Sequence, residues 1–232
     1  MSDVSPGDTE AARSVPVRRL RGCGDTRAAL EGCRLVLLTA TAVEAAPLLA
    51  CLRHAREYAL GTKAVVVGFL AAPGDGRGRE ATSGDEGIPT VLAVGGCDKA
   101  NTAHILTCLL EACEPSPSLV LQAGIAGAFT GGSAAAVPGD VVLATEEVYA
   151  DTGSSSSSGW LSAEELSLPL ACVDGCESTG RFVLDADLVR GTAGVVAVEL
   201  PGEDGGAGSS ASRVLTGRCL TSSLVTGSHV QA

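Results

Sequence analysis

Aromatic side chains are scarce in this chain: three Phe, two Tyr and one Trp make up 3% of 232 residues. A core with so few rings has to be built from Ala, Val and Leu, which suits layered α/β architecture. No apolar run is long enough to cross a bilayer as a helix. Basic residues are outnumbered, 16 Lys and Arg against 27 Asp and Glu. The resulting net charge of −11 excludes the clustered cationic footprint that nucleic acid requires. It selects no partner, since solubility alone accounts for it. No apolar leader opens the chain, and Asp3, Asp8, Glu10 and Asp25 run against a transit peptide. A cytoplasmic protein with no membrane and no nucleic-acid partner is expected.

Metal and disulfide patterns are also lacking, although cysteine is present nine times, at Cys23, Cys33, Cys51, Cys97, Cys108, Cys113, Cys172, Cys176 and Cys219. The count is odd and the spacing scattered. The tightest pair, Cys172 and Cys176, has no His or second pair nearby to complete a zinc site. Most of these residues lie in apolar segments and read as small core residues in a reducing compartment. The P-loop pattern is absent as well. The length suits one domain with tails. Residues 1–33 are expected to form a flexible N-terminal extension and residues 34–232 an α/β domain.

Short apolar runs alternating with helical patterns fill that domain. Leu35–Thr39 reads as a first buried strand, Ala64–Leu70 as a second and Thr90–Val94 as a third. From Ala42 the spacing becomes helical through Leu52, with Thr41 as N-cap, and Pro47 fits better near a helix start than in its middle. Ala71–Gly87 reads as an exposed insertion, and Ala100–Leu110 as a helix in which His104 packs or hydrogen-bonds. Gly95-Gly96 ahead of that helix offers a weak anion cradle, with Asp98 placing negative charge where phosphate would sit. Further on, Ser154–Ser158 reads as a polar loop. Trp160, on a loop, reads as a ligand lid or a packing residue, with packing favoured, and Ser162–Leu166 is a helix-like patch. Arg181–Val189 is ambiguous. Val195–Leu200 is an apolar run ahead of a Gly/Ser-rich loop. Val214–Val225 is a last strand, with a turn at Thr226–Ser228.

The stretch Leu119–Gly153 organises the rest. Leu119–Gln122 reads as a buried strand. It is followed by Gly124-Ile125-Ala126-Gly127-Ala128, a turn with little side-chain bulk where a ligand can approach the backbone. Gly131–Ala136 reads as a flexible loop, Pro138-Gly139-Asp140 as a turn, and Val141–Ala144 as the start of another strand. Ligands of open α/β sheets sit beyond the carboxyl ends of strands. Glu44 is the one acid at the exit of the first strand. On local pattern it is either a first-turn Glu favoured by the helix dipole or a carboxylate aimed into that crevice, and the pattern favours the dipole role.

Four motifs occur in the order of the nucleoside phosphorylase and nucleosidase superfamily. They are LVLLTATAVEAAPLL (Leu35–Leu49), GGCDKANTAHIL (Gly95–Leu106), LQAGIAGAF (Leu121–Phe129) and PGDVVLATEEVYADTG (Pro138–Gly153). GIAGAF followed by GDVVLATEEVYADTG most resembles futalosine hydrolase, a menaquinone-pathway relative of the methylthioadenosine/adenosylhomocysteine nucleosidases. The resemblance covers about Arg34 to Gly227. It implies a three-layer αβα fold with a central mixed sheet. It also implies a small-molecule nucleoside substrate, a homo-oligomer, and hydrolysis of the N-glycosidic bond without cofactor or metal.

By the same resemblance Glu44 matches the acid that activates the attacking water. Ile125, Ala126 and Gly127 match the turn beside base and sugar. Val225 and Thr226 match a segment whose backbone lies against the base, and Glu147 and Asp151 are structural or interface residues. Glu44 has no adjacent Arg to hold phosphate, so hydrolysis is expected over phosphorolysis. Two departures stand out. Asp98 replaces the second Gly of a G-x-G-K pattern. The family's Met-Glu-Gly-Ala segment and its following Ser-Asn or Ser-Asp strand have no counterpart before Ala232. An incomplete domain, lacking the last strand and helices and poor in catalysis, is therefore expected. A methylthioadenosine/adenosylhomocysteine nucleosidase and an inactive nucleoside-binding relative remain the alternatives.

Overall fold

The structure, a computed structural model, describes residues 23–71, 87–129, 136–157, 159–199 and 212–223. The chain divides into two units, Met1–Ile125 and Ala126–Ala232.

The first unit is built on a five-stranded sheet whose strands alternate their side chains between two packed faces. In chain order its elements are α1 (Cys23–Leu30), β1 (Leu35–Thr39), α2 (Ala42–Ala50), β2 (Leu52–Leu60), β3 (Lys63–Leu70), β4 (Ile88–Val94), α3 (Lys99–Ala112) and β5 (Leu119–Gln122). The spatial order is β2-β3-β4-β1-β5. β1 runs parallel to β4 and β5, and β3 pairs antiparallel with β2 and β4, so the sheet is mixed. Val36, Leu38, Val65, Val91 and Ala93 point to one face, where they join Leu30 of α1 and Ile105 and Leu109 of α3. Leu35, Leu37 and Leu92 point to the other and meet Ala45 of α2. This period-two division, with helices on both faces, gives the expected three-layer αβα arrangement.

Several expectations need correction here. Residues 23–33 are packed rather than part of a flexible extension. Leu30 and Cys33 lie in the core, and Thr26 Oγ1 donates to the Ala59 carbonyl at 2.9 Å. Leu52 opens β2 instead of continuing α2, because the chain turns after the Cys51 C-cap. β2 carries no clean apolar alternation, so its sequence does not announce a strand. Pro47 sits inside α2, a nine-residue helix short enough to tolerate the missing amide. β5 is a strand but not a buried one. It pairs with β1 alone among the described strands, and Leu119, Val120 and Leu121 are 38–43% exposed at that edge.

The second unit centres on β6 (Val141–Tyr149), flanked by β11 (Arg181–Val183) and β12 (Val214–Thr221) in the order β11-β6-β12. β12 is parallel to β6 and β11 antiparallel. Two hairpins, β7–β8 (Gly153–Ser156, Gly159–Ser162) and β9–β10 (Ala171–Val173, Cys176–Ser178), lie between β6 and β11. The turn at Pro138-Gly139-Asp140 forms as expected, with Asp140 N–H donating to the Val137 carbonyl at 3.0 Å and Gly139 at φ 101°.

The acids of the GDVVLATEEVYADTG stretch fasten β6 to its neighbours. Asp140 receives Arg213 Nε at 3.1 Å and a second guanidinium nitrogen at 2.5 Å, which pins the starts of β6 and β12. Glu146 receives Arg181 Nε at 2.6 Å on one oxygen and Arg218 Nε on the other. A register shift between Gly217 and Arg218 brings Arg218 opposite Glu146. Thr221 Oγ1 donates to Glu147 at 2.6 Å, and Ser223 N–H to Asp151 at 2.7 Å.

The helix-like patch at Ser162–Leu166 and the packing of Trp160 hold, while the loop expected from Ser154, the loop placement of Trp160 and the segment from Arg181 resolve differently. Ser154–Ser156 belongs to β7 rather than to a loop. Trp160 lies on β8, and its ring would be 2.8 Å from a Cβ on Gly153, so it packs on that bare strand backbone. Ser162–Leu166 makes a single helical turn closed by Leu166 N–H to the Ser162 carbonyl. The ambiguous Arg181–Val189 and the run from Val195 resolve into β11 and α4 (Ala186–Glu199), whose start is capped by Asp185 Oδ1 accepting from Asp187 and Leu188 N–H.

The cysteines are mostly not core residues. Among those described, only Cys33 and Cys113 are buried, and Cys51, Cys97, Cys172 and Cys176 are exposed. Burial, and then the neighbouring Cys113, pushes the Cys33 thiol up to about 11. In the β9–β10 register Cys176 faces Val173 and Cys172 faces Glu177. Successive residues of a strand point to opposite faces, so the two thiols of the tightest pair diverge. The expected loops at 72–86 and 131–135, and the turn at Thr226–Ser228, lie outside the described residues.

Candidate functional site

The carboxyl ends of β1, β4 and β5 come together in the first unit. β1 lies between β4 and β5, and the chain crosses from one side to the other through α3. This is the strand-order reversal beside which open α/β sheets bind ligands. The exits are tied by backbone hydrogen bonds: Ala123 N–H to the Leu38 carbonyl at 2.9 Å, Gly95 N–H to Thr39 at 2.9 Å, and Gly96 N–H to Ala40 at 3.1 Å. An open recess of about 320 Å³ lies at these ends, lined by Val43, Glu44, Pro47, Leu48, Ala123, Gly124 and Ile125.

Glu44 is the only charged side chain in this lining, and the local sequence explains its position. Thr41 is the N-cap of α2 in extended geometry, and Glu44 is the third helical residue, so the two form a reciprocal capping box. Thr41 Oγ1 accepts from Glu44 N–H at 3.3 Å. Glu44 Oε2 accepts from Thr41 N–H at 2.8 Å and from Thr41 O–H at 2.9 Å. The other oxygen, Oε1, accepts from Ile125 N–H at 2.9 Å across 81 positions of sequence. These donors, the Ile125 amide foremost and the Thr41 hydroxyl next, hold the carboxyl below its ordinary value. Gly124 is required for this contact: a Cβ there would stand 2.7 Å from Oε1.

The structure therefore joins two readings of Glu44 that the sequence left as alternatives. The residue caps the helix, and its carboxylate also lines the recess beside the small-residue turn. An ionised carboxylate with an open apolar recess before it can accept a proton from a bound water and oppose developing positive charge.

The other predicted residues divide. Ile125 lines the recess and touches Glu44 through its amide, while its own side chain is 84% exposed. Ala126 and Gly127 belong to the second unit; both are exposed, and a Cβ on Gly127 would meet nothing within 4 Å. Val225 and Thr226 lie outside the described residues. Thr41, read from the sequence only as a cap, touches the carboxylate directly. The spacing T-x-x-E was the signal that could have shown it.

The Gly95-Gly96 turn does not offer its amides to an anion. They donate instead to Thr39 at the end of β1 and to Ala40 just after it, and the Ala100 amide is taken by Asp98 Oδ1 at 3.1 Å. Asp98 stands at φ 90°, ψ 149°, a conformation suited to glycine. The position that the family pattern fills with Gly therefore keeps the glycine geometry with an Asp in it.

No family model and no curated protein matches this chain. Solved structures do match. The methylthioadenosine/S-adenosylhomocysteine nucleosidase from Neisseria meningitidis, in complex with methylthio-immucillin-A, aligns with a TM-score of 0.56 at 19% identity over 82% of this chain. The S-adenosylhomocysteine nucleosidase from Streptococcus pyogenes, in complex with 5-methylthiotubericidin, gives 0.57 at 19% identity over 86%. The nucleosidase from Colwellia psychrerythraea, in complex with adenine, gives 0.53 at 17% over 82%. The chain spans 64%, 67% and 62% of the lengths of these three structures. At such identities the likeness is one of architecture: the chain has the mixed α/β fold of the nucleoside phosphorylases and nucleosidases.

Proposed function

We propose that this protein hydrolyses the N-glycosidic bond of a nucleoside, with Glu44 as general base. The observation that carries this reading is the ionised Glu44 carboxylate at the carboxyl ends of β1 and β5, lining an apolar recess in a nucleosidase fold. In the reaction the oxygen of a water bonds to C1′ as the C1′–N bond breaks. The bonding pair leaves with the base, which takes up a proton from solvent, and the water's proton passes to Glu44. Positive charge on the sugar in the transition state is opposed by the same carboxylate. Ile125, Ala126 and Gly127 flank base and sugar, and Val225 and Thr226 lie against the base. Water is favoured over phosphate because no cation lines the recess among the described residues and the Gly95, Gly96 and Ala100 amides are occupied. No cofactor or metal is invoked.

The substrate we favour is futalosine, which would release hypoxanthine and serve menaquinone synthesis in the cytoplasm; the GIAGAF and GDVVLATEEVYADTG motifs support it. The second reading is a methylthioadenosine or adenosylhomocysteine substrate. It is supported by the structural neighbours, which are nucleosidases of that type. Assembly as a homo-oligomer accompanies either. The test is chromatographic detection of free base from each nucleoside, with and without phosphate. Hypoxanthine from futalosine alone, unaffected by phosphate, supports the first reading, and adenine release supports the second. Binding of a nucleoside without base release identifies an inactive relative.

A further inference from the structure

We propose that Thr41 is the positioning residue of this site: its two donors engage Glu44 Oε2 and so leave Oε1 as the oxygen that works. The proposal rests on the reading of Glu44 as the base. Oε2 accepts both the Thr41 amide, at 2.8 Å, and the Thr41 hydroxyl, at 2.9 Å. A carboxylate oxygen has two lone pairs, so Oε2 has no further capacity. Oε1 accepts the Ile125 amide at 2.9 Å, the Ala40 amide being the smallest of the backbone influences on the carboxylate, and one lone pair of Oε1 is left for water. That lone pair lies beside Gly124, whose missing side chain leaves Oε1 uncovered.

An ordinary N-cap has only to accept from the helix amide. The Thr41 hydroxyl does this, at 3.3 Å from Glu44 N, and also donates to the carboxylate. The donation adds nothing to the cap but fixes the carboxylate's rotation. Among the described residues, no second titratable side chain lines the recess. Val43, Pro47 and Leu48 from α2, and Ala123, Gly124 and Ile125 after β5, are all apolar or backbone. The Cys51 thiol that follows α2 donates to the Pro47 carbonyl at 3.4 Å. The titration of Glu44 therefore reports its hydrogen bonds rather than a charged neighbour.

Three variants separate positioning from capping. Thr41→Val removes hydroxyl and cap together. Thr41→Asp keeps a capping oxygen but cannot donate and repels Glu44. Thr41→Ser keeps both functions. The readouts are the carboxyl carbon-13 titration of Glu44, assigned with Glu44→Gln, and the kcat, KM and pH profile of base release. The proposal expects Thr41→Val and Thr41→Asp to raise the Glu44 midpoint, to move the acid limb of kcat/KM up with it, and to lower kcat on the order of 10- to 100-fold at unchanged KM. It expects Thr41→Asp, which keeps a capping oxygen, to lose less thermal stability than Thr41→Val, and Thr41→Ser to keep wild-type behaviour. An unchanged Glu44 midpoint in the neutral Thr41→Val would overturn it and reduce Thr41 to a helix cap, since in Thr41→Asp the added charge raises the midpoint by itself. If no nucleoside yields free base, the nucleosidase reading fails, while the titration still decides whether Thr41 governs the carboxylate.

Discussion

Glu44 does structural and chemical work with one carboxylate, and the two contributions separate by pH. Its folded value lies below its unfolded one because of the Ile125 and Thr41 donors. It therefore stabilises the fold above the ordinary glutamate range, and that stabilisation is lost as pH falls through that range and then through the lowered folded value. Glu44→Gln should cost about 1 kcal/mol near neutrality, a figure discounted for solvent screening. The gap from wild type should close in denaturant titrations at acid pH; a gap that widens with acidification contradicts the assigned contacts. Gly124→Ala should displace Oε1 from Ile125 and move the Glu44 titration upward, read by the same carbon-13 signal. Asp98 gives a prediction of opposite sign. Its φ of 90° costs about 1–3 kcal/mol for a non-glycine residue, while exchanging an Asp cap for Gly costs a few tenths. Asp98→Gly should raise the thermal midpoint and Asp98→Ala should lower it. A lower midpoint for the glycine variant would show that the Asp98 contact to Ala100 outweighs the strain.

At the level of elements, legibility followed burial. β1, β3 and β4 carry unbroken aliphatic runs because they lie inside the sheet, and their patterns could be read directly. α3 buries Ile105 and Leu109 at four-residue spacing, and truncating Leu109 to Ala should cost about 2–5 kcal/mol in equilibrium unfolding. β2, β7 and α4 expose most of their surface, so periodicity gives little sign of them. β5 was legible as a strand but not as an edge, since an apolar tetrapeptide says nothing about what lies beside it. The acid cluster after Pro138 identified a family resemblance, and its local role is cross-strand attachment. Glu146 sits between Arg181 and Arg218, and their hydrogen bonds, Arg218's foremost, hold its carboxyl below the ordinary value. Its stabilisation is present above the ordinary glutamate range and is lost as pH falls through the lowered value. Glu146→Gln should lower stability near neutrality and flatten the acid dependence of unfolding. An acid dependence identical to wild type would contradict the Arg218–Glu146–Arg181 arrangement.

Across the whole molecule, the crevice could be placed from the sequence because strand ends and a bulk-free turn were visible there. Its working geometry was not, because Glu44 and Ile125 meet across 81 residues through a backbone amide that leaves no mark in composition or spacing. Hydrogen exchange should find β1 and β4 the slowest strands, since they are central and their aliphatic side chains are largely buried, and β5 faster at its edge. The central claim, N-glycosidic hydrolysis driven by Glu44, is tested most directly by free hypoxanthine from futalosine, measured alongside adenine from methylthioadenosine. The account predicts release by the wild-type chain and a fall of about 10²–10⁴-fold in Glu44→Gln. Equal release by the two proteins, or none from any nucleoside, would contradict it.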